Sequence, residues 1–76
     1  MKSSYYVKAV WDPEAAVWTS ESDIPGLVIE ASTLTEFEVL AWELAPEMLA
    51  ENEDVGGGVV SVDFSAAVRR DLAIAS

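Results

Sequence analysis

Ser32-Thr33-Leu34-Thr35-Glu36-Phe37-Glu38-Val39-Leu40-Ala41-Trp42-Glu43-Leu44-Ala45-Pro46-Glu47-Met48 is the stretch on which the fold of this 76-residue chain turns, because its hydrophobic period changes there. From Leu34 onward Phe37, Leu40, Ala41, Leu44, Ala45 and Met48 recur at helical spacing, which predicts an amphipathic helix laid on a sheet. Thr33 followed by Glu36 fits a capping box, in which hydroxyl and carboxylate each satisfy an orphan backbone N–H. Glu36, Glu43 and Glu47 fall together on the opposite, solvated side. Val39, Trp42, Pro46 and Leu49 flank the core stripe. Trp42 there either packs under a loop or the sheet edge, or belongs to a dimer or partner surface. Pro46 removes one helical hydrogen bond and clashes with the carbonyl of Trp42, which predicts a kink or a fresh turn near Ala45. Asn52 and the residues up to Gly58 supply the helix stop.

On both sides of this segment the period is two. Upstream, Tyr5 to Trp11 is aromatic and β-branched and reads as a strand; Asp12-Pro13-Glu14 supplies the turn. Ala16 to Ser20 forms a second strand, broken by Ser22-Asp23-Ile24-Pro25-Gly26. In the third run Leu27, Ile29 and Ala31 share one face while Val28 and Glu30 share the other. Short turns between them predict an antiparallel meander. Downstream, Val60, Val62, Phe64, Ala66, Val68, Leu72 and Ile74 occupy even positions, broken only by Arg70. That alternation predicts a final strand longer than the usual 5–6 residues. Such a strand either bends near Ser65 to Ala67 or sends its distal half out of the sheet to pair with another subunit. The expected fold is therefore α+β in two layers, β-β-β-α-β, with an antiparallel sheet covered by one helix.

Composition narrows the function. Fourteen acidic residues against four basic ones give a net charge of −10, and there is no cysteine and no histidine. Disulfides, thiolate metal sites and thiol catalysis are excluded, and the commonest general base is missing. A surface this negative repels phosphate backbones and anionic lipids, so no direct nucleic-acid binding is expected and a basic protein partner suits it better. The apolar runs are far shorter than the roughly 20 residues of a membrane helix. Met1-Lys2-Ser3-Ser4-Tyr5-Tyr6 lacks the apolar region of a signal peptide, which predicts a cytoplasmic protein. The apolar content, 51% of residues, exceeds what one small core needs and points to a subunit or partner contact.

Trp18-Thr19-Ser20-Glu21-Ser22-Asp23-Ile24-Pro25-Gly26-Leu27, followed by Val28 to Ala31 and then Ser32-Thr33-Leu34-Thr35-Glu36-Phe37, resembles the HicB-like antitoxin family. Its members carry an aspartate-x-proline-glycine turn, a short strand and a threonine-capped helix. Within it the chain is most similar to a short bacterial subgroup of unknown function. Val7 to Asp12, Ala16-Val17-Trp18 and Trp42 to Glu47 fit that subgroup as well. The similarity spans roughly residues 5 to 54. It implies the β-β-β-α-β order and a toxin-neutralising role, in which the domain binds a small basic ribonuclease and covers its active surface. Many full-length members also carry a C-terminal DNA-binding module. After Asp63 only thirteen residues remain here, and of these Arg69 and Arg70 are the only basic ones. The chain is therefore read as one HicB-like domain over residues 1–76 without that module, and self-repression of an operon is not expected.

Other patterns have simpler structural readings. Asp23-Ile24-Pro25-Gly26 reads as a tight turn before it reads as a recognition loop. Gly56-Gly57-Gly58 lacks the Lys-Ser/Thr of a phosphate loop and follows acidic residues. Asp12, Glu30 and Asp63 would need to converge to hold magnesium for phosphodiester hydrolysis. Tyr5, Tyr6, Trp11 and Trp18 lack the positive groove that base-stacking surfaces need and are assigned to packing. No nucleophile–base constellation, cofactor or metal site is expected. The expected function is a homodimeric, non-catalytic protein-binding domain whose partner surface comprises Glu36, Val39, Trp42, Glu43, Pro46, Glu47 and Leu49. The alternative is a stand-alone homodimeric structural or regulatory domain with no toxin partner.

Overall fold

The computed structural model describes residues 3–52 and 58–75. Its elements are β1 (Ser4–Asp12), β2 (Val17–Ser22), β3 (Glu30–Ala31), α1 (Leu34–Asn52) and β4 (Ser61–Ala67). One sheet in the order β3-β2-β1-β4 is covered on one face by α1.

β1 and β2 pair antiparallel, with Trp11 opposite Trp18 and Asp12 opposite Val17. The Asp12 side chain shapes the turn by accepting the N–H groups of Glu14 and Ala15 at 3.0 and 3.3 Å, an Asx turn. The loop closes through Ala16 in the left-handed region, at φ 56°. In the second turn the N–H of Leu27 donates to the carbonyl of Ile24 at 3.2 Å. Pro25 presets its own φ, and Gly26 takes φ 80°, the geometry of a type II turn. The tight-turn reading of this motif holds.

β3 is shorter than the alternation suggested, though the alternation is real: Leu27, Ile29 and Ala31 are buried, while Val28 and Glu30 are exposed. The hydroxyl of Ser20 explains the shortening. It accepts the N–H of Ile29 at 2.9 Å, taking over a bond that a backbone ladder would have made.

The helix begins where Thr33 predicts. Thr33 Oγ1 accepts the N–H of Glu36 at 3.1 Å, and the Thr33 carbonyl accepts that of Phe37 at 3.0 Å. The Glu36 carboxylate accepts instead from the Ser32 hydroxyl at 3.4 Å, so it serves the neighbouring side chain. α1 runs through Pro46 as one helix, so of the kink or fresh turn expected near Ala45 the fresh turn is not formed. Its last residue, Asn52, docks on the Pro25–Gly26 turn by donating to the carbonyl of Pro25 at 3.3 Å. Of the helix-stop segment, residues 53–57 lie outside the described residues.

The sheet is mixed, not wholly antiparallel: β4 pairs parallel with β1, from Ser4 opposite Ser61 to Val10 opposite Ala67. Connectivity requires this. β2 runs antiparallel to both β1 and β3, so β1 and β3 share a direction. A single crossover helix returns the chain to the end at which β3 began, and the next strand must then run parallel to β3.

β4 also stops at Ala67, short of the length its alternation suggested. Its last partner is Val10, and β1 itself ends two residues later at Asp12, before the turn. The core comprises Tyr5, Val7 and Ala9 of β1, Ile24, Leu27, Ile29 and Ala31, and Phe37, Ala41, Ala45 and Leu49 of the helix.

Candidate protein-binding surface

Two features of α1 converge on its outer surface. The first is the acidic ridge of Glu36, Glu43 and Glu47, all exposed. The second is the apolar stripe beside it, in which Val39 is 51% and Trp42 46% exposed and Pro46 lies open to solvent. Trp42 is held in place. Its indole N–H donates to Glu38 at 3.3 Å, and its ring lies 5.8 Å from that of Phe64 at 49°. Phe64 in turn lies 5.9 Å from Phe37, so an aromatic chain runs from the core through the edge strand to the surface. Trp42 thus packs on the sheet edge, as the first of the two readings expected, and leaves about half of its surface open to solvent.

Leu49 departs from its expected place. It is 3% exposed, part of the core beneath the stripe. On a helical wheel it lies at the boundary between stripe and core, in line with the buried Phe37, Ala41 and Ala45 at four-residue steps.

Between the stripe and β4 lies a groove of about 420 Å³, lined by Trp42, Pro46, Leu49, Ala50, Val60 and Val62. It opens along the outer edge of the sheet, where β4 has no neighbour. Val60 and Val62 stood out in the sequence only as members of an alternating strand. Their apposition to the helix is a non-local property.

Residues 68–75 form no regular element. Val68 and Arg70 border a smaller recess formed with Trp11, Trp18 and Ser32. Beyond them Leu72 and Ile74 stand 70% and 84% exposed.

The remaining candidates do not assemble into a site. Asp12 serves its own turn, while Glu30 and Asp63 lie on opposite edge strands of the sheet. Among the described residues no group of three His, Cys, Asp or Glu is arranged to hold a metal ion. Tyr5 is buried, Tyr6 points to the open face, and Trp11 and Trp18 meet edge to face at 5.3 Å. The four aromatics are therefore divided between the two faces of the sheet. No helix among the described residues is long and apolar enough to cross a membrane.

The sequence profile of DUF1902, a domain of unknown function, matches residues 4–75. The chain belongs to this family. The crystal structure of the hypothetical protein TTHA1013, from the extremely thermophilic bacterium Thermus thermophilus, is similar to this DUF1902 domain, with 38% sequence identity and a TM-score of 0.69. The match covers 93% of this chain and 99% of that one. Among curated proteins nothing matches. In this DUF1902 chain the surface that combines charge, exposed apolar area and a fixed aromatic is the outer side of α1.

Proposed function

We propose that this DUF1902 domain is a non-catalytic protein-binding module of the HicB antitoxin type, which neutralises a small basic ribonuclease in the cytoplasm by covering its active surface. The observation that carries the reading is the pairing of the Glu36–Glu43–Glu47 ridge with the half-exposed Trp42 on one helix of a chain with net charge −10. Charge of one sign along a ridge accelerates encounter with a cationic protein, and a pre-positioned aromatic is the kind of residue that supplies most of an interface's affinity. Val39 and Pro46 extend the apolar contact, and Leu49 supports it from beneath. The β-β-β-α-β order agrees with the HicB-like pattern, although fold alone does not assign function.

The test is to mix the purified domain with a co-encoded small basic protein at low and at moderate salt, and to follow both complex formation and ribonuclease activity. A complex that suppresses the nuclease and is lost on Glu43→Lys with Glu47→Lys supports the reading. If no complex forms at either salt concentration, the reading fails for that partner.

A second reading, a stand-alone homodimeric structural or regulatory domain, is favoured by the exposure of Leu72 and Ile74 at alternating positions in the C-terminal segment. A gene neighbourhood without a short basic protein would decide for it.

A further inference from the structure

We infer that the groove between α1 and β4 is filled by residues 68–75 of a second copy of this chain, the two copies exchanging these segments about a twofold axis near Val68. The inference concerns self-association and does not depend on the antitoxin reading.

Hydrogen-bond direction is the first support. The N–H of Ser61 donates to the carbonyl of Ser3, toward β1, at 2.9 Å. Backbone groups of successive strand residues point to alternate sides, so those of Val62, Phe64 and Ala66 point to the open edge. If the chain continues extended past Ala67, the backbone groups of Arg70, Leu72 and Ile74 point the same way.

Parity is the second. When a strand pairs antiparallel with its own symmetry copy, the numbers of facing residues add to a constant. With an axis on a residue that constant is even, and even positions face even positions. All the apolar side chains of this segment from Val60 on, apart from the alanines, occupy even positions. An axis at Val68 sets Ile74 of one copy beside Val62 of the other, and Leu72 beside Phe64. All four then lie on the helix-covered face, where Val62 already lines the groove and Phe64 touches Trp42. The residues with outward backbone groups are the same even ones, so hydrogen bonding and side-chain burial agree on an axis at an even position, and the one at Val68 sets the most apolar pairs side by side.

Charge is the third. Residues 68–75 hold two of the chain's four basic residues, Arg69 and Arg70, and one of its fourteen acidic ones, Asp71. A mildly cationic strand thus approaches a helix whose exposed side is acidic. Shape agrees: the Cα radius of gyration is 14.9 Å, and the longest extent is 57 Å against 22 and 17 Å for the others. A compact chain of this length is expected at about 11 Å. Residues 68–75 have no partner strand in their own copy, and Val68-Arg69-Arg70-Asp71 contains no glycine or proline to fold the segment back.

The experiment is analytical ultracentrifugation of the full chain, the double variant Leu72→Asp with Ile74→Asp, and the variant Val68→Cys. The expected result is a dimer at tens of micromolar for the full chain and a monomer with unchanged circular dichroism for the double variant. Val68→Cys, in a chain with no other cysteine, is expected to form a disulfide-linked dimer under mild oxidation. A monomeric full chain overturns the inference, as does a double variant that stays dimeric. A dimer that Val68→Cys does not cross-link overturns the register. No second protein enters the test, so its failure leaves the antitoxin reading standing.

Discussion

Gly26 and Ala16 both sit at positive φ, 80° and 56°, and exchanging glycine and alanine at them is expected to shift stability in opposite directions. At Gly26 a Cβ would lie 3.1 Å from the amide nitrogen of Asn52, the group that ties the end of α1 to the carbonyl of Pro25. Gly26→Ala therefore meets both a strained backbone and a crowded contact, and is expected to cost about 1–2 kcal/mol. At Ala16 the strain is already present. Ala16→Gly relieves it against the extra chain entropy of glycine, for a net gain of up to about 1 kcal/mol. Urea denaturation of the two variants checks both signs. A destabilised Ala16→Gly would mean that the left-handed residue closing the β1–β2 turn carries no strain.

Pro46 presents the corresponding conflict within an element, because an interior proline costs a helix about 3 kcal/mol relative to alanine. The side chain is exposed and lies in no core contact, so Pro46→Ala is expected to raise the unfolding free energy by about 1–3 kcal/mol. If the outer side of α1 receives a partner, the same variant weakens that complex while the domain becomes more stable. Titration calorimetry beside thermal melts separates the two effects; a rise in both stability and affinity would remove Pro46 from the surface. What was legible in the sequence at this scale was local. The Thr33 cap, the Pro25–Gly26 turn and the alternations in 27–31 and 60–64 depend on neighbours a few residues away, and each is present. The parallel pairing of β4 follows from the path of the whole crossover, and its end at Ala67 comes where β1 has only Trp11 and Asp12 left. Neither is written in residues 60–74 themselves. The acidic ridge was legible for the same local reason, whereas the groove required helix residues 42–50 to meet strand residues 60–62. Leu49, on the boundary of the helical wheel, could not be assigned from the pattern alone and is buried with Phe37, Ala41 and Ala45.

For the molecule as a whole the decisive quantity is its net charge of −10, because it gives the two proposed contacts opposite responses to salt. Between about 10 mM and about 100 mM salt the Debye length falls from about 30 Å to about 10 Å. At the lower value every charge on a second copy is felt across most of the domain, and two anionic chains repel. At the higher value only the interface is felt, where Arg70 of the cationic segment comes to the helix-covered face of an acidic domain. Self-association is therefore expected to strengthen over this range, and the repulsion it escapes is long-ranged. A complex with a basic protein behaves in the reverse way: the same long-range field attracts it, and added salt weakens it, chiefly by slowing association. Sedimentation of the chain alone and stopped-flow binding to the basic partner, each run across this salt series, yield two slopes. Opposite signs are expected. If dimerisation also weakens as salt is added, the contact between copies is held mainly by ion pairs, and the apolar residues at even positions of the C-terminal segment do not drive it.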